Sequence, residues 1–524
     1  MHLEVSLRVL RCLLRAPPTA TPSHVTSRSL TTTFTGPWNY VRGQRCNPAT
    51  VDGRVIKVLE PATGGVLCEV PTSDAAAVDD AVTCAHAALP AWRQLSLRER
   101  GRLLMRAAAV IRENLHDIVN LEVRDTGKPI WEARLDIESC ADAFEFYGGI
   151  APSVAGQHVP LANGSFALVV REPLGVVAGI GAWNFPMQTA VWKVAPALVC
   201  GNTFVYKPSQ FTPVTAVTLA EVLRDAGVPD GVYNVVQGEG ETGGLLARHP
   251  LVAKVSFTGS VPTGVQVMRD AAAGVKAVTL ELGGKGPLIV FPDACLVNAV
   301  KAALMANFLS QGQVCSNGTR VFVHRSILGE FTDKLVTATR KLKIGNPFDD
   351  DTTVGATIHE EHARKVLSYI DSAKREGCRV LCGGERELLT GPLAGGWYLQ
   401  PTVLADCTDS MKVVQEEVFG SVVALLVFDD EEEVVARANN TDYGLAGAVF
   451  TKDLQRGHRV SAALQCGTVW VNTYNLYPTE VPFGGYKHSG VGRECGTAVI
   501  DAYTHTKTTY VEMGDVDCGP LYQD

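Results

Sequence analysis

Gly175-Val176-Val177-Ala178-Gly179-Ile180 is six residues of apolar side chain and glycine with no polar interruption. A strand with one wet face alternates, so a continuous run of this kind predicts a strand buried on both faces, as in a parallel sheet. Short runs of similar character follow: Thr203-Phe204-Val205-Tyr206-Lys207, Val232-Tyr233-Asn234-Val235-Val236 and Ala253-Lys254-Val255-Ser256-Phe257. Helical spacing at residues 191–200 and 213–226 separates the early runs. Strand and helix in alternation predict a doubly wound, Rossmann-type α/β sheet, whose ligands bind beyond the carboxyl ends of the strands.

Upstream of Pro173 the pattern differs. Residues 54–58 and 66–70 alternate as a hairpin would, and Ser96-Leu97-Arg98-Glu99 is a capping box opening a helix through Arg112. Residues 132–147 predict a second long helix, and residues 165–171 a strand in an outlying sheet. The first thirty-odd residues stand apart. Leu3, Leu7, Leu10 and Leu14 share one helical face, Arg8, Arg11 and Arg15 another, and Glu4 is the only acid before Asp52. This leader resembles a mitochondrial transit peptide more than a secretory signal; a cytoplasmic protein with an unstructured extension is the alternative. Residues 1–35 are therefore set aside from the fold.

The totals bound the rest. A chain of 524 residues exceeds a single core, and 46% hydrophobic with 19% charged residues describes a globular protein. A net charge of −8 argues against nucleic acid as a partner, and no apolar run reaches membrane-spanning length. Fourteen scattered cysteines lack the regular spacing of a disulfide scaffold and point to a reducing compartment. No metal site is expected. Cys378 and Cys382 have no second ligand pair, and His359-Glu360-Glu361-His362 lacks the i, i+4 histidines of a zinc helix and reads as a solvated helix start.

Two stretches carry chemistry. Gln311-Gly312-Gln313-Val314-Cys315-Ser316-Asn317-Gly318 places a thiol on a glycine-flanked turn between a helical run at 298–309 and an alternating run at 319–323. Cys315 is a presented nucleophile or an ordinary small core residue. Val278-Thr279-Leu280-Glu281-Leu282-Gly283-Gly284-Lys285 puts a carboxylate inside an apolar run, a costly position unless the group is used or paired. Two glycine patterns compete for a phosphate. Gly238-Glu239-Gly240-Glu241-Thr242-Gly243 follows a strand, but its glutamates would oppose a pyrophosphate. Phe257-Thr258-Gly259-Ser260-Val261-Pro262-Thr263-Gly264 leads into a helix with hydroxyls and N–H groups at its start, which suits an anion better.

The blocks GAWNFP from Gly181, LELGGK from Leu280, GQVC from Gly312, EEVFG from Glu416 and PFGGYKHSGVGRE from Pro482 resemble, in order and spacing, the NAD(P)-dependent aldehyde dehydrogenases. The resemblance runs from about Trp38 to the C-terminus. It implies an NAD-binding domain at 36–155 and 173–279, a catalytic domain at 280–500, and an oligomerisation element from 156–172 and 501–524. It further implies Cys315 as nucleophile, Glu281 as general base and Asn184 as oxyanion donor. Lys207, Gly259, Ser260, Val261, Pro262, Thr263, Gly264, Glu417, Phe419 and Trp183 would hold NAD. Phe185, Trp192 and Phe483 would line the aldehyde tunnel.

Two positions depart from the family. Gln210 stands where many NAD-preferring members have a glutamate that repels a 2′-phosphate, so NADP stays open, and Ser421 replaces a proline. The windows at 312–323 and 511–517 are most similar to members acting on aldehydes with a trimethylammonium group; a broad aliphatic range is the alternative. The expected assembly is a homotetramer, with a dimer as alternative. The rival readings are a non-catalytic structural member of the fold and a thioester hydrolase that uses only Cys315 and Glu281.

Overall fold

A computed structural model describes Leu30, residues 33–48 and residues 53–521. The leucine and arginine faces expected in the leader, between Leu3 and Arg15, lie outside the described residues. The four apolar runs form neighbouring parallel strands. Tyr233–Val235, Thr203–Lys207, Val176–Ile180 and Val252–Thr258 lie side by side in that order, followed by Ala277–Glu281. Every residue of Val176–Ile180 and Thr203–Lys207 is buried, which is why neither run alternates. Antiparallel Asn39–Val41 and Gln44–Cys46 extend one edge, and Gly490–Val491 closes the other against Ala277–Glu281, giving eight strands.

A second sheet of seven strands is built around Pro287–Val290, Arg320–His324 and Val422–Phe428, all parallel. The chain passes from the first sheet to the second between Glu281 and Pro287, across Gly283-Gly284. One strand crosses the expected division: Gly490–Val491 belongs by sequence to the 280–500 segment yet pairs with the first sheet. The outlying strand expected at 165–171 is Phe166–Pro173, held between Thr504–Val511 and Gln157–Pro160 in a three-stranded antiparallel sheet.

Local sequence explains the helices around the site. Helix Leu97–Glu113 opens with the expected reciprocal Ser96 and Glu99 capping box. Helix Pro186–Val199 starts with proline, whose absent N–H costs nothing there, and almost all its residues are buried, as befits a helix apolar all round. Helix Leu296–Phe308 ends in a turn at Leu309–Gly312, where Ser310, Gln311 and Gly312 have positive φ values of 49°, 57° and 71°. Among the described residues no helix is long and apolar enough to cross a membrane.

Candidate active site

The strained turn after helix Leu296–Phe308 presents Cys315. Glu132 Oε2 accepts the Ser310 N–H at 2.9 Å, and the Gln313 side chain donates to the Ser310 carbonyl at 3.3 Å. These contacts fix three residues in a conformation that only glycine adopts freely. Cys315 itself is half-buried. Burial, reinforced by the negative charges of Glu417 and Glu281, pushes its thiol up to about 12. The resting group is a thiol, so becoming a nucleophile requires loss of a proton.

Glu281 ends strand Ala277–Glu281, 4% exposed, and neither carboxylate oxygen has a protein partner. Burial and then the Glu494 charge hold it well above the usual carboxylate range, with Lys193 and Arg493 opposing. Lys193, fully buried in helix Pro186–Val199, donates to Glu494 Oε1 at 2.5 Å and to Thr258 Oγ1 at 2.6 Å. The Lys193–Glu494 pair thus adds opposing charges to the burial that dominates at Glu281. Asn184, immediately before the same helix, donates from Nδ2 to the Gln313 carbonyl at 2.9 Å, which ties it to the Cys315 turn.

Cys315, Glu281 and Asn184 line a single cavity of about 720 Å³. The same cavity is lined by Trp183, Lys207, Gly259, Ser260, Pro262, Thr263, Glu417 and Phe419. Lys207 Nζ donates to the Pro208 and Gly238 carbonyls at 2.6 and 2.8 Å, leaving one of its three N–H donors, and burial lowers it to about 8. Glu417 accepts the Gly284 N–H at 3.0 Å and is raised by burial to about 7. The paired glycines follow from close approach: a Cβ on Gly283 would lie 2.2 Å from Glu417 Oε2, and one on Gly284 would lie 2.3 Å from the Cys315 carbonyl oxygen. Trp183 packs edge-on against Phe419 at 5.1 Å.

Not every residue singled out in the sequence lies on the cavity wall. Val261 and Gly264 lie outside the cavity lining: Val261 packs against the sheet core, and a Cβ on Gly264 would meet Leu282 at 2.5 Å, so this glycine serves helix-to-strand packing. Conversely, the discounted glycine run does reach the cavity through Gly240 and Gly243, because Glu239 and Glu241 are exposed, Glu241 beside Arg54 at 2.9 Å. The solvated helix start also fails at one residue. His359 caps helix Glu360–Arg375, but His362 is buried, lines the cavity and contacts the Phe419 carbonyl at 2.8 Å, with burial lowering it to about 4.

Phe185, Trp192 and Phe483 do not line this cavity either. The Lys128 ammonium sits 4.2 Å from the centre of the Phe185 ring. Trp192 and Phe483 pack together at 5.6 Å, and Tyr477 joins Phe483 at 5.5 Å. Their link to the Cys315 turn runs through the Tyr477 hydroxyl, which hydrogen-bonds that of Ser316. Gln210, by contrast, does line the cavity. Sequence reasoning missed Tyr477, Lys128, Lys193 and Glu494. Only Lys193 had a local signal, a charge inside the apolar run from Ala190 to Cys200, the same oddity that exposed Glu281.

Residues 49–509 match the model of the aldehyde dehydrogenase family. The chain is 55% identical over 482 residues to 4-trimethylaminobutyraldehyde dehydrogenase A of Danio rerio, covering 92% of this chain and 95% of the relative. It is 53% identical over 482 residues to the Homo sapiens 4-trimethylaminobutyraldehyde dehydrogenase, covering 92% and 97%. Among solved structures, an aldehyde dehydrogenase of Bacillus cereus in complex with NAD+ superposes with a TM-score of 0.88 at 39% identity, covering 91% of this chain and 96% of that one. The betaine aldehyde dehydrogenase of Staphylococcus aureus with NAD+ gives 0.88 at 37%, covering 92% and 95%. With a thiol, a buried carboxylate and a glycine-containing loop on one cavity, and likeness along nearly its whole length, the chain belongs to the aldehyde dehydrogenase family.

Proposed function

We propose that the protein oxidises 4-trimethylaminobutyraldehyde and related trimethylammonio aldehydes to carboxylates with NAD. The observation that carries this is the shared cavity, which joins Cys315, Glu281 and Asn184 to the nucleotide residues without a wall between them. The residues fit a dinucleotide. Helix Val261–Ala272 begins at Ser260 with no side-chain cap on its first turn, Lys207 keeps a donor, and Glu417 offers a second carboxylate oxygen to a ribose. NAD, when bound there, supplies the hydride acceptor.

The chain's own residues perform the remainder. The Cys315 thiol gives up its proton to solvent in the open cavity, the thiolate adds to the aldehyde carbon, and the carbonyl π pair becomes an oxyanion that Asn184 Nδ2 and the Cys315 N–H hold by hydrogen bonds. Loss of hydride from that carbon leaves a thioester on Cys315. Glu281 then takes a proton from water, the hydroxide adds to the thioester, and the C–S bond breaks to release carboxylic acid and thiolate. A carboxyl held above its usual range by burial is matched to that proton transfer.

Substrate choice rests on the relatives' names and on the aromatic group. The Phe185 face is already covered by Lys128, so Trp192, Tyr477 and Phe483 supply the faces that attract a quaternary ammonium. The test is NADH formation with 4-trimethylaminobutyraldehyde, betaine aldehyde, an unmethylated aminoaldehyde and hexanal. The trimethylammonio substrate is expected to lead in kcat/KM; hexanal in the lead would make the aromatic group a plain apolar wall and the enzyme a broad aliphatic dehydrogenase. The arginine-bearing leader supports a mitochondrial location, tested by the N-terminal mass of the protein from cells: a chain shortened near residue 35 is expected, and an intact one favours the cytoplasm.

A further inference from the structure

Lys128 sits in the turn between helices Leu115–Thr126 and Ile130–Ile150, and it is 1% exposed. Burying an ammonium is costly, and a well-packed apolar side chain commonly serves stability as well. This one makes four contacts: Asp136 Oδ2 at 2.5 Å, Glu122 Oε1 at 3.7 Å, the Asn184 carbonyl at 2.8 Å, and the Phe185 ring at 4.2 Å. Two of the four hold the peptide unit that carries the proposed oxyanion donor. The same helix, through Glu132, accepts the Ser310 N–H of the turn leading to Cys315. One helix start therefore holds Asn184 through Lys128 and, through Glu132, the Ser310 end of the turn that leads to Cys315.

We propose that Lys128 is a positioning residue for the reaction, fixing the Asn184–Phe185 peptide so that the Asn184 amide and the Cys315 N–H converge on one oxygen. It does not line the cavity and acts through Asn184. The inference rests on Asn184 being the oxyanion donor, and the experiment separates the two claims. Single-turnover NADH formation is measured for Lys128→Met, Asn184→Ala and the double variant, alongside NAD affinity and thermal unfolding.

Loss of the donor in Asn184→Ala is expected to slow acylation roughly 10²–10³-fold. Lys128→Met, by letting the donor drift, is expected to slow it roughly 10–10²-fold with NAD affinity unchanged. The double variant is expected to be no slower than Asn184→Ala, because Lys128 has nothing left to position. If the double loss equals the product of the single losses, Lys128 acts elsewhere and the proposal falls while Asn184 keeps its role. Should Asn184→Ala acylate at the parent rate, the reading beneath it falls instead. Lys128→Gln, which keeps an N–H donor without the charge, stands in if the methionine variant does not fold; if neither folds, the ammonium serves folding and positioning is overturned.

Discussion

Glu281 is the residue whose chemistry can be isolated most directly, because its two oxygens have no protein partner to confuse a substitution. Glu281→Gln keeps the shape and removes the base. Hydride transfer precedes the step that needs the base, so a rapid burst of NADH equal to the enzyme concentration is expected, followed by turnover slowed roughly 10²–10⁴-fold. Thioester on Cys315 should be visible by mass; fast multiple turnover would remove Glu281 from the role. The pH dependence follows from the direction of its shift. A carboxyl held above its usual range is protonated, and useless as a base, until the pH passes that raised value. Deacylation should therefore rise with pH across that raised range in the parent, and that limb should vanish in the glutamine variant. Gln210 carries a second prediction. It lines the cavity where a carboxylate would oppose a 2′-phosphate, so Gln210→Glu is expected to lower kcat/KM for NADP about tenfold or more while leaving NAD nearly unchanged. An equal loss for both cofactors would place residue 210 away from the ribose.

The element that decides reactivity is the turn from Leu309 to Cys315, and its strain is testable apart from the chemistry. Gly312 has φ of +71°, and a Cβ there would come within 2.2 Å of the Gly420 carbonyl carbon. Gly312→Ala costs about 1–2 kcal/mol from the dihedral alone, and the clash adds to it. Lower thermal stability and slower alkylation of Cys315 by iodoacetamide are expected together; parent values for both would show that the turn is not held as described. This turn was legible in the sequence because glycines and a lone thiol break two periodic segments, and the strands were legible because burial on both faces leaves continuous apolar runs. The supporting shell was not. Lys128 lies in a Gly-Lys-Pro turn and Glu494 in a glycine-rich loop, where a charge looks like any solvated charge, and only tertiary packing drives both to near-complete burial. The glycine run at 238–243 reaches the cavity through Gly240 and Gly243 for the converse reason: its glutamates are close to the cavity in sequence but exposed in space.

At the scale of the whole molecule, the three-stranded sheet is the part that a single chain leaves unfinished. Thr504–Val511 pairs along its full length with Phe166–Pro173, yet most of its residues are exposed, as is all of Gln157–Pro160. Leu168 and Val170, two residues apart and so on one face, stand 39% and 40% exposed, and Tyr510, opposite Ala167, is 58% exposed. A sheet with apolar side chains exposed in this way and a long free edge is stable when another surface covers it, and a second copy of the chain is the surface always at hand. We infer that this sheet joins subunits into a homotetramer. Leu168→Asp with Val170→Asp puts two charges on one face without touching the cavity or the backbone ladder. Sedimentation at micromolar concentration should show a tetramer for the parent and a smaller, folded species for the variant, with the single-turnover acylation rate retained because no cavity residue comes from this sheet. A parent that sediments as a monomer would overturn the assembly. A variant that stays tetrameric would place the contact on another face, and the edge strand Thr468–Val471 of the seven-stranded sheet, where Val471 is 39% exposed, would be the next surface to charge.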